Sequence, residues 1–141
     1  MIINRLDKLR DQFINYNIDG YVVPKNDEFF SEYSNRDRLK IISNFTGSAG
    51  YAVILKKKSF LFVDGRYSIQ AKIESGKNFR ILDYEKIINT NIFKNLNLGI
   101  DPTLFTSNQI KKFFLKNNKV TLIDKNLIDK IYKFKSMKKI P

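Results

Sequence analysis

The chain has 141 residues and a formal net charge of +12, and 43% of its residues are hydrophobic. This apolar content is enough for the core of one domain of ordinary size and excludes wholesale disorder. The sequence contains no Cys and no His. Disulfide scaffolds, Cys/His zinc sites, cysteine nucleophiles and His-based catalytic triads are therefore excluded within the chain.

The positive charge invites a nucleic-acid or membrane-surface interpretation, but its distribution favours neither. Lysines are spread thinly along most of the chain, apart from Lys56–Lys58 and the stretch 130–139. The triplet predicts a solvated hairpin turn, and the basic tail predicts a helix face followed by a linker. No apolar targeting segment follows Met1, and no stretch approaches the roughly 18 apolar residues of a membrane span. We therefore expect a cytoplasmic protein that binds neither nucleic acid nor membrane.

The first predicted element is an amphipathic helix over roughly residues 5–17, where apolar residues recur at helical spacing. We expect Asn4 to cap this helix and Gly20 to lie just past its end. A short buried strand, Tyr21–Val23, follows and is stopped by Pro24.

A long polar segment with embedded aromatic residues follows, over residues 25–40, and such a loop suggests a functional surface. Its carboxylates Asp27, Glu28 and Glu32 could bind a divalent cation. A solvated acidic loop is the favoured interpretation. A two-carboxylate nuclease site built from Asp64 and Asp101 is conceivable on a sheet of this kind, but nothing in the spacing supports it.

The segment Gly47-Ser48-Ala49-Gly50 consists entirely of small residues, but it is not a phosphate loop. A phosphate loop ends in Gly-Lys-Ser/Thr and leads into a helix, whereas a β-rich run follows here. The small residues instead predict a tight turn and close backbone packing before a strand.

Two β-rich runs, 51–55 and 60–63, predict an antiparallel hairpin. A helix is predicted from about Tyr67 to Gly76. Asp64 at the end of the hairpin can cap this helix, and Arg66 can pair with a carboxylate. Arg66 then serves either as a structural tie to Asp64 or as a cation offered to a partner domain or ligand carboxylate.

The second half of the chain alternates strands and helices. Strands are predicted at 79–82, 98–100 and 120–123, and helices near 91–96, after Thr106 or Ser107, and from Leu127 to Phe134. The β-α-β alternation favours parallel neighbours. The sequence therefore predicts an α/β fold: a three-layer domain with a mixed, about six-stranded sheet flanked by helices.

Several segments, taken in order, match a known family pattern over nearly the whole chain. Two of them carry most weight: 42–50 is similar to "S-G-F-T-G-S-A-G" and Val63–Ala71 to "T-D-G-R-Y-x-x-Q-A". Weaker matches lie at Tyr21–Pro24, Asn26–Glu28, Ser31–Tyr33, Gly99–Pro102 and 126–132. Together they resemble the amino-terminal domain of the Xaa-Pro aminopeptidases (aminopeptidase P) in the creatinase/prolidase superfamily. The chain departs from the pattern at Phe29-Phe30, Asn44 and Tyr132 and in the tail.

The resemblance implies a ribonuclease H-like fold and a non-catalytic role for this chain. Enzymes of the family remove an amino-terminal residue that precedes proline. They use two divalent metals, usually manganese, held by Asp, His and Glu ligands in a carboxy-terminal domain that is not part of this chain. The resemblance implies one domain at residues 1–135 and the start of a linker at 136–141. The implied partners are that catalytic domain, a second copy of the parent protein in a dimer, and peptides with proline at the second position.

The resemblance also suggests which residues face the catalytic domain or its substrate. The surface candidates are Arg36, Arg38, Asn44, Phe45, Arg66 and Tyr67. The candidates for a structural motif are Gly47, Ser48, Ala49, Gly50, Asp64, Gly65 and Gln70. Two alternatives stay open at this point: Phe45 is a core residue, and Arg66 only ties the hairpin to the helix. A free-standing interaction module and a basic nucleic-acid-binding domain remain as alternative functions.

Overall fold

A mixed six-stranded sheet lies at the centre of the domain, in the strand order β4-β3-β2-β1-β5-β6. The computed structural model describes residues 2–25, 37–47, 50–84, 94–113 and 118–132. The strands are β1 (Gly20–Pro24), β2 (Gly50–Leu55), β3 (Ser59–Val63), β4 (Arg80–Asp83), β5 (Asn97–Ile100) and β6 (Lys119–Leu122). β2 runs antiparallel to β1 and β3, while the pairs β1/β5, β3/β4 and β5/β6 are parallel. The predicted mixed sheet and its antiparallel hairpin are confirmed.

Helices cover the sheet on both faces. Those within the described residues are α1 (Ile2–Asp11), α2 (Phe13–Tyr16), α3 (Arg38–Ser43), α4 (Ser68–Ser75), α5 (Ser107–Phe113) and α6 (Leu127–Ile131). Two 3-10 turns, Gly65–Tyr67 and Pro102–Leu104, follow β3 and β5.

The alternation of side chains along the strands divides the core into two apolar clusters, which makes the domain three-layered. One cluster joins Tyr21, Val23 and other residues on one face of the sheet to α1, α3, α4 and α6. The other cluster joins the opposite face, including Val22 and Val53, to Leu104 and Phe105, with Ile110 of α5 packed against it.

The amino-terminal helix differs from its prediction. It begins at Ile2, so Asn4 lies inside it, and the helical segment is interrupted at Gln12 before α2. Asn17, with φ 54°, ends α2 in the left-handed conformation. Asparagine tolerates that conformation better than most residues, so Asn17 takes the terminating position predicted for Gly20. Gly20 instead begins β1.

The predicted loop 25–40 is shorter than expected because α3 begins inside it, at Arg38. Asp37 caps α3, with its side chain accepting a hydrogen bond of 3.1 Å from the Lys40 backbone N–H. Asp27, Glu28 and Glu32 lie outside the described residues. So does part of the helix predicted near 91–96, of which residues 94–96 are not helical.

Candidate functional site

The two sequence motifs with the strongest family signal meet in space, through a small polar cluster on α4. The Thr46 backbone N–H and hydroxyl donate hydrogen bonds of 2.9 and 2.7 Å to the two carboxylate oxygens of Glu74. The Gln70 amide donates to the Thr46 hydroxyl at 2.8 Å and to Glu74 at 3.2 Å. We call these three residues the Thr46 clasp. It fixes the loop between α3 and β2 onto α4.

Glu74 was missed by the sequence analysis, which named Gln70 only as a motif residue. The available signal was the spacing of four residues between Gln70 and Glu74, which places both side chains on one face of a helix. The partner of that face, Thr46, lies 28 residues away from Glu74 in sequence. Nothing in the local pattern indicates that pairing.

Phe45 anchors the same loop to the core of the domain. Its side chain is fully buried, which corrects the prediction that it lies on a surface and selects the core alternative. Its ring meets the Tyr67 ring edge-on, with 6.1 Å between the centroids. A Cβ on Gly47 would lie 2.2 Å from Phe45 Cζ, and one on Gly50 would lie 3.0 Å from the Phe62 carbonyl oxygen. The glycines are required because the Phe45 ring and a neighbouring strand occupy that space.

The remaining small residues of this motif, Ser48 and Ala49, lie outside the described residues. Asn44 is exposed and has φ 67°, and its backbone N–H donates to the Lys40 carbonyl at 2.8 Å, ending α3. This left-handed position is one that Gly or Asn accepts best. The conformation explains why asparagine can stand where the family pattern has glycine.

The Asp64–Tyr67 segment presents one cation outward. Asp64 Oδ1 accepts a hydrogen bond of 3.0 Å from the Arg66 backbone N–H and so caps the 3-10 turn that begins at Gly65. That backbone bond, together with the Arg66 guanidinium, lowers the pKa of Asp64. The Arg66 side chain is 76% exposed, lies 3.4 Å from Asp64 Oδ2 and sits over the Tyr67 ring. The structural tie is present, and the guanidinium still faces solvent.

Arg38 does not lie on the surface that the sequence analysis assigned to it. It is only 1% exposed, and its Nε and Nη2 donate to the two carboxylate oxygens of Asp129, each at 2.9 Å. The sequence prediction failed because it treated residues 25–40 as a loop, whereas Arg38 begins a helix packed against α6. Arg36 lies outside the described residues.

Lowering the pH is expected to weaken the Thr46 clasp. Burial alone raises the pKa of Glu74, but the hydrogen bonds from Thr46 and Gln70 and the charge of Lys25 lower it more, so that the net pKa is depressed. Because the pKa of Glu74 is depressed in the folded state, its ionised carboxylate stabilises the fold fully at pH values above the unfolded-state pKa of about 4.3. This stabilisation is lost as the pH falls through the folded-state pKa.

The free energy of unfolding of the native chain should therefore exceed that of Glu74→Gln at neutral pH, and the difference should shrink below about pH 4.3. Urea denaturation at a series of pH values measures it. Lys72→Gln on the exposed side of α4 removes no such carboxylate and serves as the control. An offset for Glu74→Gln that is the same at neutral and acidic pH would contradict this account.

The described residues do not fit a divalent-metal centre. Within 2–25, 37–47, 50–84, 94–113 and 118–132, no group of three or more Asp, Glu, His or Cys could hold a metal ion. Asp64 and Asp101 follow β3 and β5, which are three strand spacings apart, about 14 Å. Asp101 is buried, and its two oxygens accept from Thr103 and from the Asn126 side chain. The nuclease pair considered from the sequence is therefore wrong.

Among the described residues, the helices are too short or too polar to traverse a bilayer.

Comparison with known proteins agrees with these motifs. The model of the Creatinase/Prolidase N-terminal domain family matches residues 5–131. The "Probable Xaa-Pro aminopeptidase P" of Laccaria bicolor is 32% identical over 142 residues, which covers 91% of this chain and 22% of that protein. The chain thus spans about a fifth of the length of such relatives.

Solved structures show the same fold. The X-prolyl aminopeptidase of Caenorhabditis elegans, described as a cytosolic enzyme with a di-nuclear active site, superposes with a TM-score of 0.82 at 24% identity over 96% of this chain and 26% of that one. The N-terminal domain of the cytoplasmic peptidase PepQ from Mycobacterium tuberculosis superposes with a TM-score of 0.69 at 16% identity, covering 92% of this chain and 98% of that one. The expected α/β domain with a mixed six-stranded sheet and flanking helices thus has a structural counterpart in the N-terminal domains of peptidases. The chain belongs to the Creatinase/Prolidase N-terminal domain family.

Proposed function

We propose that this chain is the non-catalytic N-terminal domain of a cytoplasmic Xaa-Pro aminopeptidase. The parent enzyme would remove an amino-terminal residue that precedes proline. The observation that carries the proposal is the Thr46 clasp, because it joins the two motifs that the chain shares with these enzymes into one rigid unit. The relatives with 32% identity, which are named Xaa-Pro aminopeptidases, support the same assignment.

The chemistry of the parent enzyme requires residues beyond those described here. In a metal-dependent peptidase the bound metal activates the attacking water, and the described part of this chain offers no cluster of three or more Asp, Glu, His or Cys that could hold one. We propose that two divalent metals, with manganese as the expected ion, are held by the catalytic domain. The N-terminal domain formed by this chain would then shape access to the catalytic cleft and contribute to a homodimer.

The test is a peptidase assay on the product of the native gene and on this 141-residue chain. With Mn²⁺, the native product is expected to cleave a peptide with proline at the second position and to leave a matched peptide with alanine there intact. The 141-residue chain should cleave neither peptide. Cleavage by the 141-residue chain, or a native product that ignores the proline peptide, would contradict the proposal.

A further inference from the structure

The outward face of α4 combines apolar and cationic side chains in a single stripe. Of residues 65–77, the exposed side chains beyond glycine are Arg66, Ile69, Lys72, Ile73 and Lys77. Ile69 and Ile73 are 75% and 80% exposed, and their spacing of four places them side by side on the helix. None of the exposed residues in this range is acidic. We call these five residues the α4 face.

The α4 face is held rigidly in place by the opposite side of the same helix. Ala71 and Ser75 are buried, and the Ser75 hydroxyl donates a hydrogen bond of 2.6 Å to the Ser43 carbonyl. Gln70 and Glu74 fix the helix to Thr46. A pre-ordered surface loses little conformational entropy when a partner binds, which makes it suited to docking.

The charges on the face decide between possible occupants. In a two-fold dimer whose axis passes through the α4 face, Arg66, Lys72 and Lys77 would lie against the same cations of the second copy. Like charges brought together across an interface are unfavourable. The α4 face instead fits a surface with an apolar centre that covers the isoleucines and with surrounding carboxylates that pair with the three cations.

We propose that the α4 face docks onto such an apolar, acid-rimmed protein surface, which belongs to the peptidase part of the aminopeptidase. This inference rests on the proposed function. The relatives support the location of the partner, since this chain covers only 22% of the first of them and 26% of the C. elegans enzyme. Ile69 and Ile73 would form the buried centre of the contact, and the cations its rim.

Photo-cross-linking in the native gene product tests the proposal. Benzoylphenylalanine replaces Ile73 in one preparation and Ile14 in a matched control, because Ile14 of α2 is also an exposed isoleucine, at 86%. Position 73 is expected to cross-link to a segment outside residues 1–141 at least about tenfold more efficiently than position 14. Arg66→Glu with Lys72→Glu should reduce that yield several-fold, because the carboxylate rim would then be repelled.

The proposal is overturned if position 73 cross-links only within residues 1–141, to a second copy's α4, to nucleic acid, or no better than position 14. A preparation of the unsubstituted native gene product is assayed in parallel for cleavage before proline. An active preparation without the expected cross-link overturns the α4 assignment and leaves the proposed function standing. An inactive preparation contradicts the proposed function. In that case, a cross-link from position 73 to a polypeptide without peptidase activity would overturn this inference as well.

Discussion

Replacing Phe45 by alanine is expected to lower the free energy of unfolding by about 3–5 kcal/mol, the range for truncating a buried aromatic side chain. The Phe45 ring is fully buried, and it fills the space beside Gly47 and against Tyr67. Its removal leaves a cavity under the motif loop, and the surrounding strand and helix cannot collapse fully into it. Urea denaturation followed by circular dichroism measures the loss.

The matched control is Ile14→Ala, which truncates a large apolar side chain that is 86% exposed. Its effect should stay within about 0.5 kcal/mol, as for most surface substitutions. A Phe45→Ala variant no less stable than Ile14→Ala would contradict the core role given to Phe45.

The glycine beside it provides a more specific test of the same packing. Gly47→Ala places a Cβ where the Phe45 ring already lies, and overpacking of this kind costs about 1–3 kcal/mol. In the Phe45→Ala background the space is empty, so the same substitution should cost much less. A double-mutant cycle should show coupling above about 0.5 kcal/mol. Strictly additive effects would show that the ring and the glycine do not share this space.

The first three strands of the sheet could be predicted from the sequence because each of them contains a β-rich run bounded by turn residues. Tyr21–Val23 and the 51–63 hairpin are examples, and the structure extends them by only a residue or two. The left-handed asparagines were harder to predict. Asn17 ends a helix where the sequence analysis favoured Gly20, since both residue types accept that conformation and local pattern alone does not choose between them.

Burial of individual side chains could not be predicted so well. Ile69 and Ile73 indicate a helix by their spacing, but periodicity does not say which face turns inward. The small residues Ala71 and Ser75 take the inner face and leave both isoleucines exposed. Arg38 shows the converse error: a charged residue in a polar stretch is usually exposed, whereas Arg38 is buried and its guanidinium pairs with Asp129, 91 residues away.

Breaking the Arg38–Asp129 pair is the second change with a large expected effect. Asp129→Asn should lower the free energy of unfolding by about 3 kcal/mol, the lower end of the range for removing one partner of a buried pair. The lower end applies because the Asp129 side chain is 36% exposed, whereas Arg38 is 1% exposed. The buried guanidinium would keep its charge and lose the carboxylate that two of its nitrogens contact.

The control is the exposed pair of Lys56 and Asp19, whose side chains are 64% and 39% exposed. Lys56→Met should change the free energy of unfolding by less than about 1 kcal/mol, as for exposed ion pairs in general. Thermal and urea denaturation of the variants measure both effects.

The double variant Arg38→Met/Asp129→Asn separates the contribution of the ion pair to the free energy of unfolding from the cost of leaving one buried charge without its partner. Removing both partners takes the buried charge away, and apolar replacements of buried pairs are often nearly neutral. The double variant should therefore be more stable than Asp129→Asn alone. If it is less stable, the guanidinium contributes to the α3–α6 contact through packing and its other interactions more than through its charge balance with Asp129.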